Sequence, residues 1–281
     1  MGAEPLVSIV TSTYNSEKTV GRTIESVLGQ TYSRIQYILA DGASSDGTLQ
    51  VAESYRALFE KRGFEYIILS SPDTGMYAGM NKGIAAAGGE LVGIVNSDDF
   101  YEPKMAETAV RAYRKTGFDL FYADIHIVDE AGRKVQVKKS RRMKHYFTTR
   151  HWNHPTVFIP KRIYDIRRYD ESFQYYGDWD LMLWIFKNYH NIVVLNRVLS
   201  NFTIGGKTTR RGMDMLWKKF LERRRAYRKN GYGFWYDAEC FFMEFGKEAA
   251  VRVLGNGSAG RGICGRSRKK SAGRRHKRGN R

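Results

Sequence analysis

Between Leu6 and Val95 the chain alternates short apolar, β-branched runs with stretches of helical period, and most of the runs end in a polar loop. That alternation constrains the fold more than any other feature, because successive strand–helix–strand units close only as a largely parallel sheet with right-handed crossovers. The spacing predicts strands at Leu6 to Thr13, Tyr37 to Ala40, Tyr66 to Leu69 and Leu91 to Val95. Between them it predicts helices from Ser16, read as a cap, to Leu28, from Thr48 to Lys61 and from Met76 to Ala87. In such sheets ligands sit beyond the carboxyl ends of the strands. Three polar clusters therefore converge on one rim: Ser12 to Asn15, Asp41 to Gly47 and Asn96 to Asp99.

After Pro103 the pattern changes. A helix from about Lys104 to Thr116 precedes an antiparallel hairpin, with Ile125 to Val128 facing Lys134 to Val137 across the turn Asp129 to Gly132. A strand is expected at His154 to Ile159, a helix at Trp179 to Tyr189, and strands at Ile192 to Leu195 and Leu199 to Ile204. Two aromatic-rich helices follow, Gly212 to Asn230 and about Phe234 to Leu254. The expected organisation is a single α/β unit over 1–210, split near residue 100, then amphipathic helices over 211–254 and a basic disordered tail over 255–281.

The formal net charge of +18 is concentrated at the end: residues 249–281 hold eleven Lys and Arg and no Asp or Glu. That tail lacks the apolar residues to fold alone. Cys240 and Cys264 form no motif, which fits a reducing compartment and argues against a disulfide framework. No leader pattern and no spanning run of about 18 apolar residues is present, so a cytoplasmic protein is expected, either soluble or peripheral on the inner face of a membrane.

Asp98 and Asp99, adjacent at a strand end, are costly to hold together unless a cation or a shared proton reconciles them. Mg²⁺ or Mn²⁺ suits one or two carboxylates completed by phosphate oxygens; a turn with a helix cap is the structural alternative. Asp178, in Gly177-Asp178-Trp179-Asp180, starts a helix in register with Leu181 and Ile185 and reads either as a cap or as a general base against an apolar wall. Asp180 lies about 200° away around the helix and is the weaker choice. The Tyr14 ring is suited to stacking on a base, with Asp41 accepting a hydrogen bond from it; a core tyrosine and an Asx-turn are the alternatives. Lys82, Lys207 and Arg210 are placed to neutralise phosphate unless they are only a solvated face, and His154 either braces a loop or contacts substrate. No histidine pairs with cysteine or glutamate at zinc spacing.

The succession SIVTSTYN (Ser8 to Asn15), LADGASSDGT (Leu39 to Thr48), DTGMYAGMNKGIAAAGGELVGIVNSDD (Asp73 to Asp99) and YDESFQYYGDWDLMLW (Tyr169 to Trp184) resembles the family 2 glycosyltransferases of the GT-A fold, over roughly Leu6 to Thr209. The resemblance implies a Rossmann-like α/β domain and an inverting, metal-dependent transferase that uses a UDP- or GDP-sugar type of donor. The acceptor would be a glycan or lipid-linked, in polysaccharide or glycolipid biosynthesis. By the same resemblance Ser12, Tyr14 and Asp41 contact the nucleotide base, with Asn81 and Lys82 in the donor set. Asp98 is on the ribose or metal, Asp99 is the main metal ligand and Asp178 is the base. His154, Trp179, Asp180 and Lys207 are candidate acceptor or diphosphate contacts.

Two departures matter. Ala78 and Gly79 stand where relatives commonly carry an aspartate after the tyrosine of the glycine segment, and the QxxRW signature of processive members is absent, which implies transfer of one sugar. A rival class is a nucleic-acid-binding protein that uses the basic C-terminal region for sequence-independent phosphate contact. A third reading has the basic helix from Gly212 and the tail docking on an anionic membrane surface.

Overall fold

In the computed structural model, residues 4–143, 151–204, 213–242 and 245 are described. Lys207, Arg210, Cys264, most of the second expected C-terminal helix and the basic tail lie outside them. The first half follows the alternation: β1 (Val7–Thr13), α1 (Val20–Leu28), β2 (Ile35–Asp41), α2 (Thr48–Ser54), α3 (Arg56–Arg62), β3 (Glu65–Ser70), α4 (Met76–Ala86) and β4 (Leu91–Ile94). Then come β5 (Phe100–Tyr101), α5 (Met105–Thr116), β6 (Leu120–Val128), β7 (Lys134–Lys138), β8 (Phe158–Pro160), α6 (Lys161–Ile166), α7 (Gly177–Asn188), β9 (Ile192–Thr203) and α8 (Met213–Lys229).

The strands form one sheet in the order β3-β2-β1-β4-β8-β6-β9-β5, with β7 paired to β6. The β3, β2, β1 and β4 pairings are parallel, as expected. β8 enters antiparallel between β4 and β6, and β6 and β9 run parallel again. This is an α/β GT-A fold: a parallel Rossmann-like half extended by mixed strands.

Strand side chains alternate faces, and both faces are buried. Val10, Ile38 and Val92 pack with Met80, Ile84, Trp179 and Leu183, while Ile9, Tyr37 and Leu39 pack with Ile24, Phe59, Met105 and Ala109. Helices on both sides of the sheet explain why β1 and β2 read as nearly continuous apolar runs.

Several expected boundaries move. The helix from Thr48 breaks at Tyr55 into α2 and α3. Ser16 does not cap α1 with its side chain: its carbonyl accepts the N–H groups of Thr19 and Val20, and its Oγ lies 2.9 Å from Ser97 Oγ. The strand expected from His154 is a 3-10 turn at His154–Thr156, with Pro155 in its first turn, and only Phe158–Pro160 pairs. The two strands after Asn191 are one bent strand, β9, whose register against β6 shifts around Asp124. β5 and α6 gave no recognisable period because they are two and six residues long.

Candidate functional site

The parallel register brings the three polar clusters together. Ser12 lies opposite Ala40 and Thr13 opposite Asp41, and the Ser16–Ser97 contact ties the loop after β1 to the loop after β4. Asn15 Oδ1 accepts the Ser45 N–H at 2.8 Å, and the Asn15 N–H donates to Ser44 Oγ at 2.8 Å. Both loops hold a non-glycine residue at positive φ, Asn15 at 50° and Ala43 at 60°, a conformation that costs about 1 kcal/mol or more for alanine. Such strain persists where surrounding contacts over-determine it.

Asp41 is buried at the end of β2. It accepts from the Ser44 N–H and hydroxyl and from Ser70 Oγ at 2.7 Å. Ser12 Oγ packs against α4 so closely that a Cβ on Gly79 would lie 2.3 Å from it. The Asp73 carboxylate fills the niche left by two glycines, 3.0 Å from a Cβ on Gly42 and 3.2 Å from one on Gly79. Tyr14 is half exposed beside them, with 50% of its surface accessible.

The acidic pair divides by environment. Asp99 is buried; its Oδ1 accepts the Thr203 N–H at 2.9 Å and its Oδ2 the Asn96 amide at 3.3 Å. Burial pushes its carboxyl well above the usual range and the Asp98 charge adds to the effect, against those two donors. Asp98 is half-buried, and burial raises its carboxyl too, opposed by its own backbone N–H and the Arg22 guanidinium. Arg22 itself donates to the Asp98 carbonyl and to Thr203 Oγ1, both at 3.0 Å. No cluster of three or more His, Cys, Asp or Glu among the described residues could hold a metal alone. Two neighbouring carboxylates that resist ionising together still suit a hard cation completed by diphosphate oxygens.

On the other side, Asp178 stands half-buried in the first turn of α7. Its Oδ1 accepts the Trp179 N–H at 2.7 Å and the Tyr77 hydroxyl at 3.3 Å. Burial raises its carboxyl, while nearby His154 and those two hydrogen bonds pull it back. Tyr77 stacks on Tyr169, ring centroids 5.4 Å apart, and Tyr169 Oη lies 3.2 Å from His154 Nε2. Burial holds His154 below its ordinary pKa, with Asp178 opposing. Gly177 is required here, because a Cβ would sit 2.8 Å from the Tyr77 ring.

Four of the expected contacts are engaged within the protein. Trp179 is wholly buried, stacked on Trp152 at 6.1 Å and edge-on to Tyr227, so its ring is part of the core. Asp180 is also buried, paired with Arg167 at 2.8 Å and Lys229 at 2.9 Å. Asn81 spends its amide on the Tyr169 carbonyl, the Tyr169 N–H and Glu171, which pins the 169–171 segment. Lys82 donates to the Ser71 carbonyl at 2.8 Å and the Asp41 carbonyl at 3.3 Å, with Asp73 at 3.8 Å, and so braces the pocket around Asp41. Lys207 lies outside the described residues. The sequence reading missed Tyr77, Asp73 and Arg22; the first two lie inside the glycine segment that drew attention, while nothing local marks Arg22.

The family model described as "Glycosyl transferase family 2" matches residues 8–171, which takes in the whole donor rim and stops short of Asp178. An uncharacterized glycosyltransferase of Methanocaldococcus jannaschii, MJ1057, is 26% identical over 210 residues, 72% of this chain and 71% of its own. Among solved structures, S. aureus TarS 1-349 in complex with UDP-GlcNAc superposes with a TM-score of 0.64 at 18% identity, covering 85% of this chain and 73% of that one. This chain spans only 39% of the longer TarS chain. The mannosyltransferase PcManGT from Pyrobaculum calidifontis, in complex with GDP-Man and Mn²⁺, has a TM-score of 0.58 at 13% identity, covering 92% and 80%. At these identities the structures speak for the GT-A fold. The family match spans more than half of the chain, which therefore belongs to glycosyl transferase family 2.

Proposed function

We propose that this glycosyltransferase moves one sugar from a nucleotide diphosphate sugar to an acceptor hydroxyl, with inversion at the anomeric carbon and Asp178 as general base. One observation carries the reading: Asp178, raised in pKa by burial, is hydrogen-bonded to Tyr77 of the same segment that builds the donor rim. Ser12, Tyr14 and Asp41 would hold the nucleoside, Tyr14 by stacking and Asp41 through a hydrogen bond from the base. Asp98 and Asp99 would hold a divalent cation, Mn²⁺ or Mg²⁺, which when bound supplies positive charge to the departing diphosphate. Of the two, Asp98 is the more open, while the oxygens of Asp99 are oriented by the Thr203 N–H and the Asn96 amide. Asp178 takes the proton of the acceptor hydroxyl as its oxygen attacks the anomeric carbon; the bond to the diphosphate breaks on the opposite face, and the configuration inverts.

The donors bound by TarS and PcManGT support a UDP- or GDP-sugar. The acceptor is a glycan or is lipid-linked, and the absence of the processive signature supports transfer of a single residue. Among the described residues no helix is long and apolar enough to cross a membrane. Phe234, Trp235 and Phe242, 69%, 77% and 71% accessible, support peripheral docking on a bilayer surface near α8. The test is turnover of a panel of UDP- and GDP-sugars with Mn²⁺ or Mg²⁺, for the wild type and for Asp178→Asn and Asp98→Asn. Inverted product from one donor, with a loss of about 10²- to 10⁴-fold in Asp178→Asn, is expected from general-base catalysis. Retained configuration, or full turnover in Asp178→Asn, would overturn the mechanism.

A further inference from the structure

The segment 170–176, which leads into the first turn of α7, is overlaid by α8 along its whole length. Arg225 and Lys229 reach Asp170 at 3.4 and 2.7 Å. The Arg225 guanidinium lies 4.4 Å from the Phe173 ring centroid, Lys219 lies 5.5 Å from that of Tyr175, and Arg223 lies 5.9 Å from that of Tyr176. At the centre, the Glu222 carboxylate accepts three consecutive backbone N–H groups: Gln174 at 2.8 Å, Tyr175 at 2.7 Å and Tyr176 at 3.2 Å. Tyr176 is the N-cap residue of α7 and offers no side-chain cap. Its carbonyl opens the helix by accepting the Asp180 N–H at 2.9 Å. Two residues beyond it stands Asp178.

We infer that α8 belongs to the catalytic unit, with Glu222 as the positioning residue that fastens the backbone leading into α7 from a second helix and so fixes the direction of the Asp178 carboxylate; this rests on the reading of Asp178 as base. A carboxylate at a helix N-terminus satisfies donors the helix leaves open and complements its dipole. Here the carboxylate comes from a distant part of the chain and holds the N–H of the N-cap residue Tyr176 together with those of the two residues before it. Asp178 is then held from two sides: by the Tyr77 hydroxyl at its oxygen and by Glu222 through the backbone that precedes it. Two charges of α8 serve the same attachment, Arg225 and Lys229 through Asp170, while Arg223, Arg224 and Arg228 pair with Glu239 and Asp237 beyond its C-terminal end. Thus the boundary expected after residue 210 falls inside the functional unit.

A purely structural helix would lower stability when loosened and leave turnover of the folded fraction alone. A positioning helix lowers kcat while the donor site, on the far loops of β1, β2 and β4, keeps its affinity. The experiment compares full-length wild type, Glu222→Ala, Glu222→Gln and Asp178→Asn. It measures kcat and KM against pH for hydrolysis of UDP-N-acetylglucosamine and GDP-mannose, UDP and GDP binding by calorimetry, and amide exchange over 173–179. Expected for Glu222→Ala are a kcat at least about tenfold lower, a donor KM and nucleotide affinity within about twofold, and faster exchange at 174–176. That factor corresponds to the loss of about one well-made hydrogen bond to a charged group. Glu222→Gln, which keeps one acceptor oxygen, should recover part of the kcat and serves if the alanine variant does not fold. The inference is overturned if Glu222→Ala keeps wild-type kcat and wild-type exchange while Asp178→Asn is inactive. An active Asp178→Asn would instead remove the base assignment itself.

Discussion

Asp41 accepts its side-chain hydrogen bonds from Ser44, three residues on, and from Ser70 on the neighbouring strand, whereas the backbone before Asp178 donates its N–H groups to Glu222, 46 to 48 residues away on another helix. The donor rim is thus assembled by parallel register and by loops that cap themselves and one another. The base loop is assembled by a distant helix using charge. The first kind of construction leaves its marks next to the residues it serves, while the second leaves them far off in the chain. The difference predicts separable failures: damage to the rim should weaken donor binding, and damage to the α7–α8 contact should lower turnover or stability at unchanged donor affinity.

The largest effect is expected at Asp180. Asp180→Ala removes the buried partner of Arg167 and Lys229 and the acceptor of the Asn230 amide at 2.8 Å. Breaking a buried pair costs about 3 to 5 kcal/mol, and the lower end applies because both cations keep contact with water. Urea unfolding should show a loss of about 3 kcal/mol; a change below about 0.5 kcal/mol would mean that α8 is not anchored by these charges. Asp170 sharpens the same point through pH. Burial opposes its ionisation, but Lys229 and the hydroxyl and N–H of Ser172 outweigh it and hold the carboxyl well below the usual range. Its contribution is therefore present above about pH 4, the ordinary carboxylate value, and is lost as pH falls through the depressed native value. Acid unfolding of Asp170→Asn should consequently differ less from the wild type at pH 2 than at pH 6.

On the rim, Gly79→Ala is the matching break. The added Cβ would lie 2.3 Å from Ser12 Oγ, so α4 or β1 must shift, at a cost of about 1 to 3 kcal/mol. Since Ser12 and Asp73 both border that contact, the donor KM should rise with kcat little changed, the reverse of the pattern expected for Glu222→Ala. A fall in kcat alone would erase the distinction between the two regions.

Much of the rim was legible because the residues that build it are neighbours of the residues that use it. The polar loops ending β1, β2 and β4 stand in the sequence as breaks in apolar runs, and the parallel topology brings them to one edge. The same reasoning did not foresee the internal partners of Asn81, Lys82, Trp179 and Asp180, for one physical reason. Helical period tells which residues share a face but not what that face meets. Trp179 looked like part of a site because it follows Asp178, yet α7 is buried on almost every side, between the sheet and α8, and its tryptophan fills the core. Asn81 and Lys82 looked like donor contacts because they sit in the glycine segment, and both turned inward to carbonyls that only the tertiary fold supplies. The basic face of α8 read as a membrane surface, but five of its cations are spent on carboxylates of this chain.

Tyr77 joins the two regions, and its removal should have a smaller effect with a definite sign. Its hydroxyl favours the ionised form of Asp178, and burial is what raises that carboxyl. Tyr77→Phe removes the bond and keeps the ring stacked on Tyr169. The Asp178 pKa should rise further, and the acid limb of the kcat profile should move to higher pH. A neutral hydrogen bond contributes about 0.5 to 1.5 kcal/mol, so the shift should be about one unit or less. An unmoved or lowered limb would mean that another group sets the profile.

The smallest effect on folding and turnover is expected at Phe234 and Trp235, yet these variants discriminate best between two ways of reaching a membrane. Both side chains are largely exposed, next to a helix whose cations are mostly paired within the protein. If α8 docked by charge, binding to anionic vesicles would fall steeply with salt and ignore these rings. If the rings enter the interface, each buries apolar surface at about 25 cal/mol per Å², and the double variant Phe234→Ser, Trp235→Ser should bind vesicles at least about tenfold more weakly, a little over 1 kcal/mol. Its unfolding free energy should stay within about 0.5 kcal/mol of wild type, as for other surface positions. Vesicle sedimentation at low and high salt separates the outcomes: binding that survives the double variant but vanishes in salt would return the role to basic residues such as those of 249–281.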